Sequence, residues 1–122
     1  MAYQLRGALG VEGEAVSGDK TLDITDSGFL QNVTASATIT LPATASGGVF
    51  IIRNGGSGST DGAVTVTISP AAADSIAGMG SAATDNKDII NTLGGAGEYV
   101  VLVPTTVGYL VAEHAGTWVR ES

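Results

Sequence analysis

The side chains able to do chemistry are few. One histidine, His114, stands beside Glu113 near the end of the chain. An imidazole next to a carboxylate could serve as a general base. A hydrolytic triad also needs a nucleophile, and no serine lies in a Gly-x-Ser-x-Gly turn. His114 therefore reads as a solvated turn residue. The chain has no cysteine, which removes thiolate catalysis, disulfides and any Cys/His zinc set. Asp74, Asp85 and Asp88 form a local group of carboxylates, but without the regular 1-3-5 spacing of a calcium loop. The other acids are spread along turns and single out no pair for glycoside hydrolysis. The expectation is a protein with no catalytic residue, no metal and no cofactor, and not an enzyme.

Three aromatics remain as binding candidates. Tyr3, Tyr109 and Trp118 could stack on sugar rings, although a tryptophan in a terminal strand more often completes a core or an interface. Asn54 to Gly62 is rich in glycine and serine, but no Gly-Lys-Ser/Thr follows, so it reads as a hairpin tip and not as a phosphate loop. Asn32-Val33-Thr34 matches a glycosylation sequon, which is read as chance.

The bulk properties narrow the field further. A chain of 122 residues with 43% hydrophobic content supports one domain with a real core. Charged residues make up only 14%, against the usual quarter, so the surface is either rich in Thr, Ser and Asn or is hidden against other copies. Net charge is −7, and the five basic residues are too scattered to track a phosphate backbone. No nucleic-acid partner is expected. Met1 to Gly10 lacks the pattern of a signal peptide, and no apolar run approaches the roughly 20 residues that span a bilayer. The expectation is a protein made in the cytoplasm, with no membrane partner, unless it leaves as part of a larger particle.

These residues must be positioned by strands. Thr38 to Leu41 alternates, with Ile39 and Leu41 on one side, and Pro42 ends the run. Gly47-Gly48 allows a change of direction. Val49 to Ile52 is a continuous apolar run, short enough for a strand covered on both faces. Val64, Val66 and Ile68 alternate with Thr65, Thr67 and Ser69, the cleanest strand pattern in the chain. Thr21 to Ile24, Phe29 to Thr34, Asp88 to Leu93, Tyr99 to Val103, Val107 to Ala112 and Thr117 to Arg120 complete the set. Pro70 to Asn86 is a loop excursion whose Ile76 plugs one end of the core. About eight short strands at roughly 10-residue spacing predict an all-β, mainly antiparallel sandwich or jelly-roll-like barrel. Buried positions should include Ile39, Leu41, Phe50, Ile52, Val64, Val66, Ile68, Val101 and Val103. Residues 1–19 read as an extended N-terminal arm and residues 20–122 as the β-domain. The arm has two readings: it pairs at the edge of its own domain, or it reaches a neighbouring subunit.

The order of short motifs carries a resemblance. Leu22-x-Ile24-x-x-x-Gly28 is followed by Asn32-Val33-Thr34, Ile39-Thr40-Leu41-Pro42-Ala43 and Gly47-Gly48-Val49-Phe50-Ile51-Ile52-Arg53-Asn54. Then come Val64-Thr65-Val66-x-Ile68-x-Pro70, Asp74-Ser75-Ile76-x-Gly78, Glu98-Tyr99-Val100-Val101-Leu102 and Trp118. From Lys20 to the end, this resembles a β-rich module of tailed-bacteriophage virion proteins, found in head-decoration (capsid cement) proteins and in tail-fibre or spike segments. A chain holding only an arm and one domain looks more like the former. The resemblance implies a homotrimer on the outer capsid surface of the virion, with the major capsid protein as partner. It carries over no functional residues, because such proteins act through surfaces. Tyr3, Leu5, Arg6 and Leu9 in the arm are expected to make the capsid or subunit contact, with Tyr109 and Trp118 as interface or stacking aromatics. The alternative is a receptor- or glycan-binding module of a tail fibre or spike.

Overall fold

The computed structural model describes residues 13–56, 64–78, 86–94 and 96–121. They form eleven strands: β1 (Gly13–Val16), β2 (Lys20–Thr21), β3 (Leu30–Val33), β4 (Ala37–Thr40), β5 (Phe50–Asn54), β6 (Val64–Ser69), β7 (Ser75–Ala77), β8 (Ile89–Gly94), β9 (Tyr99–Pro104), β10 (Gly108–Ala115) and β11 (Val119–Arg120). The helical content among them is two three-residue 3-10 turns, Ile24–Asp26 and Thr44–Ser46. Two sheets result. Sheet A has the order β1-β3-β5-β9-β10-β7 and sheet B the order β11-β8-β6-β4-β2. One hydrophobic core lies between them. The all-β sandwich expected from the sequence is the architecture found.

The pairing differs from the mainly antiparallel arrangement expected. From β1 to β6 the chain alternates between the sheets, and each new strand adds in parallel to the one laid down two before it. Thus β1-β3, β3-β5, β2-β4 and β4-β6 are all parallel. A parallel crossover is usually a helix. Here the crossover is a strand of the opposite sheet. Short strands at even spacing look the same in sequence whether they fold as hairpins or wind as this two-sided coil, so the pattern did not distinguish them. The later strands close the sandwich antiparallel, with β9 on β5, β10 on β9, β8 on β6 and β11 on β8, while β7 adds parallel to β10.

Local chemistry explains one further departure. Thr21 to Ile24 reads as a strand, but β2 stops at Thr21. The Asp23 carboxylate accepts from the backbone N–H of Thr25 at 2.8 Å, and Asp26 accepts from the backbone N–H of Asp23 at 3.0 Å. This reciprocal cap bends the chain into a 3-10 turn and leaves Ile24 half exposed. In β3 it is Gln31 and Val33 that turn inward, and Leu30 faces outward. β1 falls within residues 1–19, the proposed arm, and it pairs with β3 as an edge of sheet A with Val16 buried, which for the described part of the arm is the first of its two readings.

Seven of the nine expected core residues are buried: Ile39, Leu41, Phe50, Ile52, Val64, Val66 and Ile68. Ile76 is buried as well. Val101 and Val103 are not. In β9 it is Val100 and Leu102 that are fully inside. Tyr99 to Val103 is apolar at every position, so its alternation carries no phase, and a one-residue choice of register decides the face.

Candidate functional site

Among the described residues the titratable groups gather into no reactive centre. His114 and Glu113 are exposed on β10. The Tyr99 hydroxyl donates to Glu113 at 2.7 Å, and that bond, before any effect of burial, raises the Tyr99 pKa. Asp74 is turned toward Thr44, whose backbone N–H donates to its carboxylate at 3.0 Å. The backbone N–H of Asp88 donates to Glu121 at 2.9 Å. Asp85 lies outside the described residues. Among the described residues no three His, Cys, Asp or Glu side chains are placed to hold a metal ion.

One charged knot sits at the β1–β2 end of the sandwich. Lys20 donates to Glu14 at 2.7 Å, to the side-chain oxygen of Gln31 at 2.8 Å and to Asp26 at 3.4 Å. Burial alone would lower the Lys20 pKa, but the bond to Glu14 and the two nearby carboxylates outweigh it and raise the value. The same bond, helped by Gln31, lowers the pKa of Glu14. Gly13, Glu14, Thr25, Asp26 and Phe29 line an open cavity of about 260 Å³ beside this knot. Lys20 is bonded to both of its carboxylates, which leaves a single net negative charge at its rim.

The aromatic candidates are structural. Tyr109 is 1% exposed. Its ring meets Phe50 edge-on at 6.0 Å, and its hydroxyl donates to the Pro42 carbonyl at 2.8 Å. Burial, with the Asp74 charge nearby, pushes its pKa up to about 12. Trp118 is 4% exposed and donates its indole N–H to the Ala115 carbonyl at 3.0 Å. Neither ring faces solvent, so neither can stack on a sugar or form an exposed interface, as the sequence reading allowed. Core packing won because each ring's polar atom has a backbone acceptor within reach. Tyr3, Leu5, Arg6 and Leu9 lie outside the described residues.

What stands out is the contrast between the two outer faces. On sheet B, Thr38 pairs with Thr67 and Thr40 with Ser69. This is a hydroxyl ladder suited to water. On sheet A six outward positions are aliphatic and adjoin one another. Leu30, Ile51 and Val101 are direct register partners across β3, β5 and β9. Val103 and Leu110 are partners across β9 and β10. Val49 directly precedes Phe50, the partner of Leu102, at the start of β5. Val49 and Leu110 are 38% and 40% exposed, and the other four are half-buried by their neighbours. Arg53 and Glu113 border this band. Arg53 donates to the Asn32 side-chain oxygen at 2.6 Å. Contiguous exposed aliphatic groups are a feature that interaction surfaces share.

Sequence reasoning missed Leu30, Val101, Val103 and Leu110 as surface residues. The signal was present in β5 and β9: both are continuous apolar runs, the composition of strands covered on two faces. Compared with protein-family models and with curated protein sequences, the chain finds no match.

Proposed function

We propose that this protein is a structural component of a bacteriophage virion, one that binds the outer capsid surface and stabilises the shell. It works through surfaces and carries out no reaction. The observation that carries the reading is the aliphatic outer face of sheet A. The order of motifs from Leu22 to Trp118 supports it by resemblance. The partner in this reading is the major capsid protein, contacted through the N-terminal segment that contains Tyr3, Leu5, Arg6 and Leu9. The protein itself assembles as a homotrimer. The physical logic is avidity: weak contacts made by several linked copies act together, and a ligand that binds only the assembled shell stabilises that shell by mass action.

The test is to mix purified protein with undecorated capsids and sediment the particles. The expected result is co-sedimentation at saturable stoichiometry and a higher temperature of capsid disruption. Deleting residues 2 to 9 should abolish binding while leaving the thermal melt of the domain unchanged. Glycan binding without capsid binding would overturn this reading in favour of the receptor-binding module.

A further inference from the structure

We infer that the outer face of sheet A is the surface through which copies of this chain meet. The inference rests on self-association in the preceding reading and not on its capsid part or its trimer number, because a face that meets its own copy closes as a two-fold pair. Its ground is the aliphatic band formed by Val49, Ile51, Val101, Val103 and Leu110, with Leu30 at one flank.

Three observations select a second copy as the occupant. The first is charge. The chain carries a net −7, so copies approaching through most of their surface repel. β3, β5, β9 and β10 carry two formal charges between them, Arg53 and Glu113. Both stand at outward register positions, paired with Tyr99 and Val101 respectively. The face is therefore neutral, and it holds one charge of each sign. A face with that pair is complementary to itself: Arg53 of one copy can meet Glu113 of the next. A basic or acidic partner would leave one of the two unmatched.

The second observation is arrangement. β9 carries Val101 and Val103, with Ile51 paired on the β5 side and Leu110 on the β10 side, so the band has aliphatic groups on both sides of β9. Two such bands can be laid against each other with apolar groups opposed throughout. The third is strand composition. β5 and β9 are rich in aliphatic residues on both faces, the composition of strands that gain from a cover. A second copy is present wherever the chain is made. The six strands of sheet A, spaced about 4.8 Å apart, span about 24 Å. That width suits a modest interface that assembles with rising concentration, not a very large permanent one.

The experiment is molar mass by light scattering and sedimentation velocity, on the full chain, from about 1 to several hundred micromolar. The wild-type protein should show a multiple of the 12.1 kDa chain mass that grows with concentration. Leu110→Asp, at a position already 40% exposed, should shift the midpoint of association at least tenfold toward higher concentration with an unchanged circular dichroism spectrum. Should that variant misfold, Val49→Lys tests the same face. Arg53→Glu should weaken association, and adding Glu113→Arg to it should restore it. A wild-type monomer throughout the range overturns both this inference and the self-association it rests on. An oligomer that survives Leu110→Asp or Val49→Lys in a folded protein overturns the choice of face alone. Failure of the double charge exchange to rescue overturns the Arg53–Glu113 contact and with it the argument for a second copy. Capsid co-sedimentation, scored separately, reports on the virion reading.

Discussion

The side-chain amide of Asn54 on β5 donates to the Asn91 side-chain oxygen on β8 at 2.8 Å, joining sheet A to sheet B inside the sandwich. Asn54 also donates to the Val64 carbonyl, and its own oxygen accepts from the backbone N–H of Gly56. Asn91 donates to Glu98 at 2.7 Å and to the Thr117 carbonyl at 2.9 Å. Both asparagines are buried, and each group of the pair is matched. Asn91→Ala removes one partner from several buried groups at once. It should lower stability by about 1–3 kcal/mol in urea denaturation, because the stranded polar atoms keep their desolvation cost. Thr92→Ala, exposed on the same strand, should stay within about 0.5 kcal/mol.

Among the described glycines, Gly108 leaves the least room for a side chain. A methyl group there would overlap the backbone of Ser75, its register partner in β7. Gly108→Ala must therefore push β7 away from β10. The expected outcome is a loss of about 1–3 kcal/mol, with faster amide hydrogen exchange at Ser75 to Ala77 as the local signature.

Two neighbours on β9 test the assigned register. Leu102 is fully buried, and Val103 faces out. Leu102→Ala should cost about 2–5 kcal/mol. Val103→Ala should cost much less under dilute conditions, where the outer face of sheet A is uncovered. Equal losses in denaturant titrations would reverse the phase of the strand.

Tyr109 predicts a loss of stability in alkali. An ordinary tyrosine ionises near pH 10, and in the fold this one holds its proton to about 12. Between those values the folded chain binds more protons than the unfolded chain, so stability falls as pH rises. Below about pH 10 the group has no such effect. Thermal melts from pH 9 to 12 should show the decline in wild type and a shallower one in Tyr109→Phe. Absorbance titration of the phenols should show Tyr99 also ionising late, because its hydroxyl donates to the Glu113 carboxylate.

Much of the fold was legible where alternation was clean. Val64 to Ser69 and Ala37 to Leu41 placed their apolar side chains inward as their period requires. Legibility failed where the period was silent. The run Tyr99 to Val103 is apolar on both faces, and its composition alone does not say which side meets the core. At Asp23 to Asp26, side-chain-to-backbone bonds replaced a strand that the hydrophobic pattern favoured. Trp118 and Tyr109 were readable as aromatic anchors, but their burial depends on the Ala115 and Pro42 carbonyls, which only the tertiary fold brings to them. The aliphatic face of sheet A is a property of register between distant strands, so no local window of sequence displays it.

The alternation of β1 to β6 between the two sheets also bears on how such a chain can change length. One circuit takes roughly twenty residues, as from Leu30 to Ile51 or from Lys20 to Ile39. A single inserted strand would throw every later strand into the wrong sheet and exchange its inner and outer partners. An insertion of one whole circuit adds a strand to each sheet and leaves everything after it in the same relation, moved along by one strand spacing. Growth or loss in this part of the molecule is therefore quantised in pairs of strands, and a duplication of residues 30–50 is the natural unit for building a longer version.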